Sequence, residues 1–254
     1  MALTVAGSDS GGGAGIAADL KTFAAHGVWG VCALTAVTAQ NTVAVGPVEV
    51  MGASIVTAQI GAVAADIGVA ATKVGMLGRA VIVEAVAAAV EEWALHPLVV
   101  DPVAVASTGT ALLSPGGRAA LRQVLLPLAD LVTPNLAEAA TLAGWPEPPS
   151  DEPGMERVAE AVLALGPGAV LVTGGHLPGP VASDLLLQRD GPGPQWFRGP
   201  RLDVRHTHGT GCVLSAAEAS SLSEKLLTLG LDPARAKLAA AVIGILGEGR
   251  CEIM

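Results

Sequence analysis

Tyrosine is absent from this chain, and aromatic residues of all kinds amount to 2% of it. Platforms on which nucleic-acid bases could stack are therefore scarce. Basic residues are few as well: 14 Lys and Arg stand against 23 Asp and Glu, for a net charge of −9. They are scattered, with no stripe that would track a phosphate backbone. Nucleic acid is not an expected partner. A protein this acidic must meet an anionic phosphate locally, through backbone amides and Mg²⁺. The three cysteines, Cys32, Cys212 and Cys251, are odd in number and far apart, so disulfides are not expected. No apolar run reaches the roughly 18–20 residues of a membrane span, and the stretch 238–246 is about half that length. The N-terminus lacks the basic flank of a signal peptide and runs straight into glycines. A cytoplasmic protein without membrane contact is expected.

Hydrophobic residues, by contrast, make up 51% of the 254 positions. That suffices for the core of one large α/β domain or two small ones. Short apolar runs alternate with longer amphipathic stretches. Strands are predicted at 3–6, 30–38, 71–75, 97–100, 131–133, 169–173 and 181–188, with an outer strand at 195–197. Helices are predicted at 16–26, 54–67, 80–95, 117–126, 136–143, 155–165, 211–229 and 233–246, and a surface loop at 145–154. Strand–loop–helix units in series predict an α/β fold, with a mostly parallel sheet covered by helices on both faces. No linker, repeat or low-complexity segment divides the chain, so residues 1–254 read as a single domain. Ligands of such sheets bind beyond the carboxyl ends of the strands, and nearly all the polar glycine-containing loops fall there.

The most informative of these loops is Thr207-His208-Gly209-Thr210-Gly211-Cys212, which leads into Val213-Leu214-Ser215. Two glycines permit a tight turn. The first amides of the helix that follows lack internal partners and lie at its positive end. This is a phosphate-binding arrangement. Cys212 lies in the same field, which favours thiolate over thiol. An anion hole beside a deprotonable side chain suits phosphoryl transfer to an alcohol. His206, His208 and Cys212 have no common zinc spacing. A Cys–His nucleophile pair, and with it a hydrolase, is the other reading of the segment.

Four further segments carry polar groups at predicted strand ends. The stretch from Ala6 to Gly15, with Asp19 after it, is a glycine-rich turn that is neither Walker A nor a clean dinucleotide fingerprint; it is a tight turn or the floor for a small polar ligand. Gln40-Asn41 offers amides that donate and accept at once, as an aminopyrimidine edge requires, or else forms a polar Asx turn. Asp101-Pro102 presents a carboxylate that holds Mg²⁺ or caps a loop. Asn135 and Glu138 have the spacing of a helix capping box; the alternative is that Glu138 orients water around Mg²⁺.

Taken together, and in order from residue 3 to about 217, these segments resemble the hydroxymethylpyrimidine and phosphomethylpyrimidine kinases of the ribokinase-like superfamily. Lys73-Val74-Gly75-Met76-Leu77 and Gly174-Gly175-His176 extend the match. The resemblance implies a three-layer α/β/α sandwich. It implies ATP-dependent phosphorylation of a hydroxymethylpyrimidine and of its monophosphate, in thiamine biosynthesis. Cys212 would take the hydroxyl proton, and Gly209, Thr210 and Gly211 would form the anion hole. Gln40, Gly7, Asp19 and Met76 would line the pyrimidine pocket. Asp101, Asn135 and Glu138 would manage Mg²⁺ and phosphates, with Thr173 and Thr207 on the nucleotide side. A homodimer is implied by the resemblance alone. Thr173 stands where the family usually has Lys, so backbone amides or Mg²⁺ would have to meet the nucleotide there. A pyridoxal or pyridoxine kinase of the same superfamily, and a non-catalytic pyrimidine binder, are the alternatives.

Overall fold

The computed structural model describes residues 1–106, 108–201 and 208–228. Its strands are β1 (Ala2–Ala6), β2 (Gly30–Leu34), β3 (Ala36–Gln40), β4 (Val45–Val50), β5 (Ala71–Val74), β6 (Leu98–Val100), β7 (Leu131–Val132), β8 (Ala169–Val172), β9 (Val181–Gln188) and β10 (Gln195–Pro200). Its helices are α1 (Gly15–Ala25), α2 (Ala53–Asp66), α3 (Ala80–Trp93), α4 (Pro115–Ala120), α5 (Leu136–Ala143), α6 (Glu152–Leu163) and α7 (Thr210–Thr228). Eight strands form one sheet in the order β10-β9-β8-β7-β6-β5-β1-β2. From β2 across to β8 every neighbouring pair is parallel, while β9 runs antiparallel to both of its neighbours.

The central strands are short, apolar and covered on both faces, as a parallel sheet demands. On one face Val56 and Ile60 of α2, Ile82 and Val86 of α3, Ala139 of α5 and Val158 of α6 pack over Leu3, Val74, Val100 and Val172. On the other face Phe23 of α1 and Ala216 and Ala219 of α7 pack over Ala71, Val99, Leu131 and Leu171. The result is the three-layer α/β/α sandwich.

The structure corrects three predicted elements and adds a strand, β4. The strand predicted at 30–38 breaks at Thr35, whose amide donates to Ala6 O while its hydroxyl donates to Met76 O. Beyond the break, β3 leaves the large sheet and pairs antiparallel with β4 in a separate hairpin. No strand is predicted at β4, whose Gly46 and Pro47 are residues that a central strand excludes and a two-stranded ribbon tolerates. The helix predicted at 117–126 begins at Pro115, capped by Ser114, and passes through a π turn (Leu121–Leu125) and a 3₁₀ turn (Leu126–Leu128). The loop predicted to reach 154 yields at Glu152, because Asp151 accepts from Gly154 N and starts α6 with Pro153 in its first turn. The helix predicted at 233–246 lies outside the described residues.

Candidate active site

Because β1, β5, β6, β7 and β8 are parallel, their carboxyl ends share one edge of the sheet. Gly7, Gly75, Asp101, Thr133 and Thr173 are the first residues beyond those ends. The chain passes from β1 to β2 on one side and returns to β5 on the other. The crevice between the ends of β1 and β5 is thus a topological switch point, where open α/β sheets bind ligands. Met76 lies there, and a Cβ added to Gly7 would meet its Sδ at 3.1 Å.

Two loops converge on this edge. The first, residues 7–14, is organised by Asp9, whose carboxylate accepts from the amides of Gly11 (2.7 Å), Gly13 (3.1 Å) and Ala14 (3.0 Å). The second is the turn into α7. His208 Nε2 lies 2.8 Å from Asp9 Oδ2 and ties the two together. Gly209 has φ of +81° and lies so close to Gly13 that a side chain there would overlap the Gly13 carbonyl oxygen. Val213 N donates to Gly209 O, so α7 starts directly after this contact. The hydrogen bonds from His208, Gly11 and Ala14 outweigh burial and hold Asp9 below the usual carboxylate range.

Beneath the loops lies a buried charge cluster. Lys73 of β5 is fully buried, and its Nζ lies 2.9 and 3.0 Å from the two oxygens of Asp19 of α1. Thr4 of β1 donates to Asp19 at 2.6 Å. Asp101 Oδ2 stands 3.9 Å from Lys73 and accepts from Ser215 Oγ at 3.1 Å. Against the cost of burial, Asp19, together with Cys212 and Asp101, raises the proton affinity of Lys73, which stays charged. Burial, with Asp19 adding to it, raises that of Asp101.

Cys212 is half-buried in the first turn of α7. The expectation of a favoured thiolate is corrected. Burial, followed by the negative charges of Asp101 and Asp19, pushes its thiol up to about 12, against the opposing pull of Lys73 and of the Gly15 amide. The helix N-terminus supplies only a partial charge; two nearby carboxylates and lost hydration outweigh it.

The other predicted residues fall as follows. Asp19 does not face an open pocket: it is fully buried, and both its oxygens are engaged by Lys73, one of them also by Thr4. Gln40 ends β3; its backbone amide donates to Ser10 Oγ (2.8 Å), while Ser10 Oγ donates to Gln40 O (2.6 Å). Asn135 and Glu138 form a full capping box on α5, as their spacing predicted. Asn135 also bridges to Thr173 across β7 and β8. Thr207 and His206 lie outside the described residues. Lys73, Asp9 and Ser215 carried no site role in the sequence. A lysine inside an otherwise apolar strand was the available signal, since lysine is rarely buried without a partner.

Glu138 is pushed up to about 8 by burial and then by the charge of Asp101. A buried carboxylate whose charge raises the proton affinity of a half-buried one beside it makes a donor set that a divalent cation would relieve. Among the described residues no three His, Cys, Asp or Glu side chains converge as a metal cluster. A cation at Asp101 and Glu138 would keep water and phosphate oxygens as its other ligands, which is the habit of Mg²⁺. The residues therefore fit that ion.

Comparison with known proteins gives consistent results. The family model for phosphomethylpyrimidine kinase matches residues 9–237. A hydroxymethylpyrimidine/phosphomethylpyrimidine kinase of Rhizobium meliloti is 48% identical over 255 residues, covering 98% of this chain and 94% of that one. The crystal structure of a phosphomethylpyrimidine kinase from Clostridium difficile superposes with a TM-score of 0.81 at 38% identity, covering 98% of this chain and 99% of the other. An ADP complex of Bacillus subtilis pyridoxal kinase gives a TM-score of 0.85 at 35% identity, covering 97% and 90%.

Proposed function

The chain belongs to the phosphomethylpyrimidine kinase family, and from that premise we propose how its own residues carry out the reaction. It is a phosphotransferase with ATP as phosphoryl donor. Its acceptors are 4-amino-5-hydroxymethyl-2-methylpyrimidine and then the monophosphate of that alcohol, in thiamine biosynthesis. The observation that carries the reading is the arrival of the α7 N-terminus, with Cys212 in its first turn, at the carboxyl edge beside Asp101 and the glycine loop.

In this proposal the pyrimidine binds at the crevice between β1 and β5, against Gly7 and Met76, with the Gln40 side chain on its amino edge. Asp19 acts at second hand, by holding Lys73. The amides of Gly209, Thr210 and Gly211 receive the migrating phosphoryl group. The hydroxymethyl oxygen attacks the terminal phosphorus, the bond to the departing ADP oxygen breaks, and the hydroxyl proton passes to Cys212 Sγ. Transfer of this kind depends mainly on position and charge, with a base adding roughly 10²–10⁴-fold. Only the thiolate can accept a proton, and its high proton affinity makes it scarce near neutral pH. Turnover is therefore expected to rise with pH through the alkaline range.

Mg²⁺ held by Asp101 and Glu138 would neutralise phosphate charge. Asn135, Thr173 and Thr207 belong to the nucleotide side of the same proposal. Residues 1–254 are taken as one catalytic unit, located in the cytoplasm; no helix among the described residues is long and apolar enough to cross a membrane. The resemblance is all that supports a homodimer, and a monomeric mass by light scattering would remove it.

The test is a transfer assay with ATP, Mg²⁺ and the pyrimidine alcohol, read by mass spectrometry for one and two added phosphates, with pyridoxine as a parallel acceptor. Two additions to the pyrimidine are expected. Faster turnover of pyridoxine would replace the proposed substrate by the other vitamin alcohol. Cys212→Ala is expected to lose turnover while calorimetry still shows pyrimidine binding; full activity in that variant removes the sulfur from the mechanism.

A further inference from the structure

Asp9 is the hub of a network that the reaction scheme leaves without a purpose. Its side chain is buried, yet it accepts four hydrogen bonds: three from amides of its own loop and one from His208 Nε2, 199 residues away in sequence. Since a carboxylate only accepts, the Nε2 of His208 carries the proton. Next to Asp9, Ser10 exchanges hydrogen bonds with the backbone of Gln40 in both directions. Next to His208, Gly209 opens the turn into α7 and touches Gly13 backbone to backbone. Lys21 of α1 adds a third tie, donating to Gly12 O at 2.8 Å. The glycine loop is thereby fastened to the proposed acceptor pocket at Ser10 and to the proposed anion hole at His208.

We propose that the Asp9–His208 contact is a latch that sets the distance between these two sites, and that His208 is a positioning residue for phosphoryl transfer. This rests on the kinase reading above. The physical reason lies in the turn 208–211. It runs into the first residues of α7, contains the glycines Gly209 and Gly211, and docks on the glycine loop at Gly13 and Asp9. A misplacement of about 1 Å at a reacting centre costs on the order of 10²-fold in rate. A carboxylate-to-imidazole hydrogen bond is strong enough to hold such a turn, because one partner is charged.

The test compares His208→Leu, which keeps bulk and loses the donor, with His208→Gln, which restores an N–H at similar reach. Two readouts are used in the full-length protein. In steady-state kinetics His208→Leu is expected to lower kcat about 10- to 100-fold while KM for the pyrimidine alcohol stays within about twofold. His208→Gln recovers most of the loss. In amide hydrogen exchange of the substrate-free protein, residues 209–212 exchange at least about tenfold faster in His208→Leu and return toward wild type in His208→Gln. The second readout needs no turnover, so failure of the kinase assay on wild type would count against the proposed function and leave the latch to be judged by exchange. Wild-type exchange in His208→Leu overturns the latch, as does an equal loss in both variants. If the leucine variant does not fold, Asp9→Asn takes its place. It keeps an oxygen for the Gly11 amide but loses the charged acceptor, and wild-type exchange there is equally fatal.

Discussion

Gly209→Ala is the sharpest perturbation of the proposed anion hole. Two costs follow from the structure. The backbone at Gly209 has φ of +81°, a conformation that costs an L side chain about 1–2 kcal/mol. The added Cβ would also overlap the carbonyl oxygen of Gly13, which is backbone and cannot rotate away. Real Cβ atoms essentially never approach closer than 3.0 Å, so the turn and the glycine loop must part by more than about 1 Å, enough to cost on the order of 10²-fold in rate. That factor corresponds to about 2.7 kcal/mol of lost transition-state stabilisation. The proposed pyrimidine site is at Gly7 and Met76, the other end of the loop from the Gly13 contact, and its contacts are expected to persist. The expected result is a kcat at least about 100-fold lower, with KM for the pyrimidine alcohol within about threefold. The assay is steady-state phosphoryl transfer, with circular dichroism to establish that the variant is folded. A folded variant whose kcat stays within about threefold of wild type would refute the reasoning, because a turn able to absorb that displacement is not what positions the phosphoryl group.

Lys73→Met removes the buried cation that both oxygens of Asp19 contact and leaves the buried carboxyl with the Thr4 hydroxyl. It is expected to lower stability by about 3–5 kcal/mol in urea unfolding, and adding Asp19→Asn to recover a large part of that; equal midpoints for the two variants would contradict the ion-pair account. Glu138 binds its proton more tightly folded than unfolded, so it contributes stability below about pH 4.5 that is lost as pH rises through about 8. Glu138→Gln keeps the capping box and is expected to flatten that decline, seen as a higher Tm than wild type at pH 8.5 and no advantage at pH 4. The raised thiol of Cys212 predicts a kcat/KM that climbs with pH above neutrality without reaching a plateau by pH 10; a flat profile over that range would remove proton acceptance by the sulfur from the rate-limiting step.

What the sequence determined alone is whatever depends on neighbours along the chain. The alternation of short apolar runs with amphipathic stretches suffices for the parallel core, because each strand must be apolar on both faces. The T-H-G-T-G-C run suffices for a turn into a helix, because glycine and the unpartnered first amides are local properties. The Asn135–Glu138 cap is legible for the same reason. The tertiary structure decided the rest. Lys73 and Asp19 come from β5 and α1, and Asp101 follows β6; they become a charge cluster only when the sheet and its covering helix assemble. Asp9 finds His208 across nearly the whole described chain. Cys212 shows the limit most plainly: its place at a helix N-terminus favours the thiolate, yet burial and two carboxylates brought by other parts of the chain reverse the sign. Local sequence fixes the direction of a helix dipole, but the dielectric and the charges around its end belong to the packed whole.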